Sequence, residues 1–302
     1  MKRRAFLTNT VLSAIAVSTT GFIRFDGNRY VGDCETTSDI LGPFYRPDSP
    51  VRSSLVIKGE KGDLTELIGK VKHDDCTTPY KNAKVEIWHC DGNGVYDNET
   101  PDFKYRGTTY TDENGNYAFQ TILPVPYDVG NGNFRPAHFH MMITAEGYQP
   151  LVTQLYFNGD KHIEKDESAA SPTAKRRILE VQNGGNGSKK VVYDVSMSAK
   201  LAAEPAVLGL LVGTYIDEKD GNKKTELLKK DHQLWIKGDK QNGMPFGINL
   251  EYVGNNTFSI SGVHVETLSF VFEVLNYGVI KMKEVSKNDK GEKEISVSVR
   301  QM

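Results

Sequence analysis

Short alternations of apolar and polar residues recur along most of the chain. In "AKVEIWHC", residues 83 to 90, Val85, Ile87 and His89 fall on one side, and Glu86, Trp88 and Cys90 on the other. A period of two marks a strand, because successive side chains leave a pleated backbone on opposite faces. The same rhythm runs through "ELIGKVKH" (66 to 73), "AHFHMMITAEGY", "LVTQLYFNGD" and "KVVYDVSMSA". In "TYTDENGNYAFQTILP" the four residues "DENG" favour a turn between two strands. One segment breaks the rhythm: "SPTAKRRILEVQN" predicts a helix, with Ser171 as N-cap and Pro172 in the first position. Ahead of the strands, "DILGPFYRPDSP" predicts an extended, ordered arm, since proline fixes its backbone dihedral. Near residue 200, "SAKLAAEPAVLG" reads as a linker that ends by about Val207. Beyond it come "LLVGTYIDE", "TELLKKDHQLWIKG", "FGINLEYVG", "NTFSISG", "LSFVFEVLNYG", "VIKMKEVS" and "EISVSVRQ", again alternating. The pattern predicts an all-β chain. An antiparallel β-sandwich would occupy residues 34–200, and a second small all-β domain, a meander or incomplete barrel, residues 206–302. No repeat relates the two halves, and the second carries no paired His, no Cys and no catalytic motif.

Composition changes this picture little. The chain has 302 residues, 38% hydrophobic and 25% charged, which suits globular cores. A net charge of −2, with Lys and Arg spread along the chain, argues against a nucleic-acid partner. The first residues add more. Lys2, Arg3 and Arg4 precede a mildly apolar stretch, Ala5 to Val17, too short and polar for a membrane span. The paired arginines followed by Phe6 and Leu7 resemble a twin-arginine export signal. Residues 1–33 are therefore expected to be export signal and linker, and the mature protein periplasmic or extracellular. Asp33 before Cys34 fits a lipoprotein site poorly. Export makes a disulfide chemically reasonable, and Cys76–Cys90 is the pairing expected, leaving Cys34 free. No C-x-x-C spacing occurs, which argues against a cysteine metal site.

The candidate chemistry lies in "RPAHFH", residues 135 to 140. Two apart on a strand, His138 and His140 share a face while Phe139 takes the other. A lone His is more often packed or solvated than a ligand; a pair on one strand face makes it a candidate metal grip. Two His do not complete a site. The neighbouring strands offer no obvious inward carboxylate, but they offer Tyr96, ending "GNGVY", and Tyr127, in "LPVPYD".

Taken in order, "GPFY", "CTTPYKNAKVEIWHCDGNGVYD", "YRG", "TDENGNYAFQTILPVPY", "RPAHFHMMI" and "LVTQLYFNGD" resemble the intradiol ring-cleavage dioxygenases, such as protocatechuate 3,4-dioxygenase and catechol 1,2-dioxygenase. The resemblance spans roughly residues 34 to 197 and misses no motif. It implies an Fe(3+) site with Tyr96, Tyr127, His138 and His140 as ligands, Arg135 as the active-site arginine and Gln154 as a pocket residue. It implies a catechol-type substrate and O2, a muconate-type product, and self-association. Two tyrosinates and a hydroxide would balance the three charges of the ion, so a partly buried site could tolerate it. Tyr127 would be the ligand that a catechol displaces, acting then as an internal base. His89 matches no family ligand and reads as structural; His73, His162, His232 and His264 read as solvated or packed. The segments "DNETPDFKY" and 128–134 are this chain's own and leave the particular catechol open. The domain after residue 205 lies outside the resemblance, and no partner is assigned to it. Two other readings stay open: a non-catalytic transthyretin-like binding module, and zinc or copper on the same His pair.

Overall fold

The computed structural model describes residues 23–25, 30–32, 35–198 and 203–301, apart from 231, 242, 264 and 289. The leader with Arg3 and Arg4, Cys34 and His264 lie outside the described residues. A hairpin of β1 (Ile23–Phe25) and β2 (Tyr30–Gly32) comes first. The sandwich strands follow in pairs along the chain: β3 (Leu64–Lys72) and β4 (Lys84–Trp88), then β5 (Arg106–Tyr110) and β6 (Asn116–Ile122). Next come two short strands, β7 (Tyr127–Asp128) and β8 (Phe134–Arg135), and two long ones, β9 (His138–Thr144) and β10 (Leu151–Phe157). Last are β11 (Ile178–Leu179), β12 (Gln182–Asn183), β13 (Lys189–Val192) and β14 (Val195–Ser196).

These make two facing sheets, as the alternation predicts. One runs β11–β10–β9–β4–β5; the other is built around β3, which pairs with β6, β13 and β14. Most pairings are antiparallel, but β13 and β14 join β3 in parallel, and β11 joins β10 likewise. Val85, Ile87, Phe139, Met141 and Leu155 meet Leu67, Val71, Phe119 and Val191 across the interior. Trp88 and Cys90 sit in a separate cluster on the far face of the first sheet, where the period-two reading puts them. The "DENG" turn is also real: Asp112 Oδ1 accepts from the backbone N–H groups of Asn114 and Asn116, each at 2.8 Å. It carries the chain from one sheet to the other, because β5 pairs with β4 and β6 with β3.

Three expectations need correction. The helix predicted from Ser171 starts there, with the Ser171 side chain accepting from Thr173 N, but it is a 3-10 helix, Pro172–Arg177. Beyond it the β-branched Ile178 pairs with β10 and ends the helix. The linker reading fails for Pro205–Leu211, which is an α-helix, α1; Leu208 and Leu211 are buried in the second domain's core. Apolar burial there outweighs the loop-like look of an Ala- and Pro-rich stretch. The Cys76–Cys90 bridge is absent. Cys90 is a free, buried thiol, and Cys76 is disulfide-bonded elsewhere. The physical reason is distance. Cys76 lies in the loop ahead of β4 and Cys90 follows its far end, and strand residues rise about 3.3 Å each. A disulfide needs Cα atoms within about 7 Å.

The second domain is the small all-β unit expected, and of the two forms, meander or barrel, it takes the barrel, fully closed. Its strands are β15 (Gly213–Asp217), β16 (Lys224–Lys230), β17 (Gln233–Ile236) and β18 (Ile248–Gly254), then β19 (Thr257–Ile260), β20 (Leu268–Val274), β21 (Ile280–Lys287) and β22 (Lys293–Arg300). They pair in sequence order and β22 closes on β15, which leaves no free edge. Tyr215, Leu227, Leu234, Leu250, Phe258, Phe270 and Phe272 fill the interior, and α1 packs against β16 and β17.

Candidate active site

The site grows on the outer face of the β10–β9–β4 sheet. His138 and His140 point there, away from Phe139 and Met141, which face the sandwich core. Register then sets their neighbours. His140 lies opposite both Trp88 and Gln154, and His138 opposite Tyr156. The Trp88 ring stacks on His140, centroids 4.9 Å apart and planes 5° apart.

An outer sheet face would normally meet water. Here the arm covers it. Asp39 N donates to Val152 O at 2.8 Å, and Gln154 Nε2 donates to Ile40 O at 2.7 Å. Gly42 crosses directly over His140: with φ +74°, a Cβ on it would stand 3.0 Å from His140 Cε1. Only glycine takes that conformation without cost and lets the backbone come so near. Phe44 completes the cover, its ring stacked on Tyr96 at 4.2 Å.

Two further segments bring in the phenols. After β4, Asp91 Oδ1 accepts from Asn93 N (2.8 Å) and Val95 N (2.9 Å), turning the chain back toward the sheet at Tyr96. Arg106, fully buried, pins the next residues by donating to Asp97 O (2.8 Å) and Asn98 Oδ1 (2.9 Å), and to Phe44 O in the arm (2.6 Å). Tyr127 stands on β7, paired in register with Arg135 on β8.

The four predicted ligand residues therefore come together. Tyr96 OH lies 3.4 Å from His138 Nε2, and His138 Nε2 lies 3.1 Å from His140 Nε2. The Tyr127 ring centroid is 5.5 Å from that of Tyr96 and 5.7 Å from that of His138. Both histidines and both tyrosines are buried. His138 Nδ1 donates to Pro136 O at 2.6 Å, which leaves its Nε2 with a bare lone pair facing the cluster.

Burial decides the protonation states. It pushes the Tyr96 phenol well above its ordinary value, and the neighbouring Tyr127 adds to the shift. Burial raises Tyr127 as well, against the opposing pull of Arg135. Burial, then the Arg135 charge, lowers His138 to about 3; burial and His138 push His140 well below its usual range. Without a cation, the cluster is four neutral donors around one small volume. A multivalent cation reverses this for the phenols, because it stabilises their anions. Among the described residues no three His, Cys, Asp or Glu side chains gather. A metal on this His pair would find the Tyr96 and Tyr127 phenols beside it, and hard phenolate oxygen with imidazole suits ferric iron.

Arg135 and Gln154 meet beside the cluster. Arg135 Nη2 donates to Gln154 Oε1 at 2.9 Å, and Arg135 Nε to Asp166 Oδ2 at 2.5 Å. Burial opposes the guanidinium charge, but Tyr156, Asp166 and Tyr127 outweigh it and raise the Arg135 pKa. Asp39 and Arg177 form a buried ion pair behind them, and the Tyr156 hydroxyl lies 3.0 Å from both Asp39 Oδ2 and Gln154 Oε1. Tyr156 was legible in principle, since it sits two residues from Gln154 on the same strand face. Asp39, Asp166 and Arg177 gave no signal, as they lie far from each other in sequence. His89 is structural: Nδ1 lies 2.7 Å from Cys90 O, and Nε2 lies 2.7 Å from Thr121 Oγ1 on the opposite sheet. The chain's own segment after Tyr96 lines an open cleft of about 420 Å³, with Val95, Asp97, Glu99 and Lys104 on its walls.

A two-layer β-sandwich with buried His and Tyr donors on one outer face defines a class, and comparison gives the family. The dioxygenase family model, Dioxygenase_C, matches residues 40–199, more than half of the chain, and the protein belongs to that family. It is 34% identical to the chlorocatechol 1,2-dioxygenase of Rhodococcus opacus, over 45% of this chain and 61% of that one. It is 39% identical to the catechol 1,2-dioxygenase of Candida albicans, over 57% of this chain and 64% of that one. The solved structure of Acinetobacter radioresistens catechol 1,2 dioxygenase superposes with a TM-score of 0.50 at 25% identity, covering 56% of this chain and 64% of that one. The chain thus spans a little under two thirds of these relatives. The barrel lies beyond the family match.

Proposed function

We propose that the protein is a ferric-iron intradiol dioxygenase: it cleaves a catechol-type ring with O2 between the two hydroxylated carbons and releases a muconate-type dicarboxylate. The observation that carries the reading is the meeting of two imidazole nitrogens and two phenols, all buried, beside a charged arginine. The names of the matched relatives, which act on catechol, chlorocatechol or hydroxyquinol, support the same substrate class.

Tyr96, Tyr127, His138 and His140 would hold the iron. Bound there, Fe(3+) supplies a Lewis-acidic centre that accepts a catecholate and draws electron density from its ring. Pro136 O keeps the proton on His138 Nδ1, so its Nε2 stays a donor to the metal. Tyr127 is on the side nearest Arg135. Its oxygen would take up a catechol proton as an internal base. Arg135 stabilises negative charge as it builds on the ring, and is held in place by Asp166 and Gln154. Phe44, Trp88 and the arm keep water out, which strengthens each of these charges. Export through the Arg3–Arg4 leader and self-association belong to the same reading.

The test is optical and gasometric. Purified protein loaded with ferric iron should be red to burgundy from tyrosinate-to-iron charge transfer, and the band should move when catechol is added. Oxygen uptake over catechol, chlorocatechols, hydroxyquinol and protocatechuate, with no added reductant, should show one O2 consumed per ring and pick out the substrate. A colourless protein holding zinc, with no uptake on any ring, overturns the proposal.

A further inference from the structure

The barrel does not stand apart from the site. Trp235, on β17, is 3% exposed and belongs to the same apolar cluster as Leu41, Tyr45, Trp88, Tyr96 and Tyr127. Its ring stacks on Tyr45 of the arm, with centroids 5.6 Å apart and planes at 29°. Tyr45 in turn packs edge-on against Trp88 at 5.0 Å, and Trp88 stacks on His140. One unbroken row of rings thus runs from the barrel wall to a histidine of the site.

Other contacts repeat the message. Gly262, in the loop after β19, presses on the arm backbone so closely that a Cβ would lie 2.5 Å from the Asp39 carbonyl carbon. Gln233 Nε2 donates to Pro150 O of the sandwich at 3.4 Å. Lys230 Nζ sits 5.4 Å from the Tyr45 ring centre and 5.5 Å from that of Trp235. The side chains of Asn249 and Ser261, on and beside neighbouring strands, are fully buried and bonded to each other at 2.7 Å. A barrel's outer face ordinarily meets water; here part of it is buried. The segment it presses on, Asp39 to Tyr45, is the one that covers the His face.

We propose that the barrel is a clamp on the arm, and that Trp235 is a positioning residue that acts through Tyr45 and Trp88 on His140. The covering arm is largely irregular backbone, tied to the sandwich by single hydrogen bonds at Asp39, Ile40 and Phe44 and by no continuous strand pairing. Trapped between the β10–β9–β4 sheet and the barrel, it has one position. The second domain is then part of how the site is built. The kinetic half of this inference rests on the ring-cleavage reading; the structural half does not.

The chain has two tryptophans, Trp88 and Trp235, and both lie in this row, so fluorescence of the full-length, metal-free protein reads the clamp directly. In Trp235→Phe the remaining Trp88 should stay blue-shifted and shielded from acrylamide. In Trp235→Ala it should shift to the red, with its quenching constant raised severalfold. In iron-loaded protein the Ala variant should lose about tenfold in catechol turnover at unchanged iron content, and the Phe variant should recover most of it. If Trp235→Ala does not fold, Trp235→Leu keeps apolar bulk but removes the stack, and the same two readings apply to it. A folded Ala or Leu variant with Trp88 as shielded as in the Phe variant, and turnover intact, overturns the clamp. A wild-type protein that opens no ring sinks the enzymatic proposal and leaves the fluorescence result to decide the clamp alone.

Discussion

Sandwich and barrel are written in the same alternating code, yet among the described residues the candidate catalytic groups gather on the sandwich. In the barrel, each strand sends one set of side chains into a closed interior packed with Leu and Phe. In the sandwich, β10 is buried along its whole length, on both faces. One face meets the other sheet; the second meets the arm. A covered sheet face that is not needed for packing can hold polar groups out of water. Burying them is costly unless each finds a partner or a ligand. His138, His140, Gln154 and Tyr156 all sit on that second face. The contrast places the candidate site on an apolar-backed, arm-covered surface, with the barrel packed against that arm.

The comparison can be broken first at the histidines. His138→Ala or His140→Ala should remove iron and colour together, with metal affinity falling by more than the roughly 10–100-fold typical of merely supporting residues. Retained iron in either variant, by elemental analysis, would remove that residue from the ligand set. In the barrel interior, Phe258→Ala should cost about 3–5 kcal/mol in denaturant unfolding while the folded protein keeps its turnover. A large loss of turnover there would make the barrel core part of the site. Arg135→Ala should keep iron and colour but lose about 10²–10³-fold in turnover, and an unchanged rate would take Arg135 out of the mechanism.

The smallest effect concerns His89, which bridges the two sheets. Burial, opposed by the Cys90 carbonyl and reinforced by Arg106, lowers its pKa to about 4. Its folded value lies below its unfolded one, so the unfolded chain binds the proton more readily. Its contribution to stability is therefore whole above about pH 6.5 and is lost as pH falls toward 4. In metal-free protein the loss on going from pH 7 to pH 4.5 should be about 2 kcal/mol smaller in His89→Gln than in wild type. Equal pH dependence in the two would show that the ring is not held neutral in the fold.

Most strands were legible because period-two alternation is a local property. Val85 and Ile87 against Trp88 and Cys90 could be assigned to faces from eight residues alone. That His138 and His140 would meet Tyr96 and Tyr127 was legible through the His-x-His spacing and the resemblance, since the order of these residues along the chain is diagnostic. What stayed hidden was long-range. Asp166 reaches Arg135 from 31 residues away, Arg177 reaches Asp39 from 138, and Cys90 is separated from Cys76 by the length of a strand. Helix limits also failed where burial of Leu208 and Leu211, and pairing of Ile178, outweighed local propensity.

The sequence by itself determined which residues alternate, where the chain turns, and that two imidazoles share one strand face; each follows from backbone geometry over a few residues. Tertiary structure alone decided that an arm covers that face, that Arg135 gains Asp166, that the last strands close into a barrel, and that Trp235 reaches the site. Those outcomes depend on which surfaces pack together, and packing is settled by the whole folded chain at once.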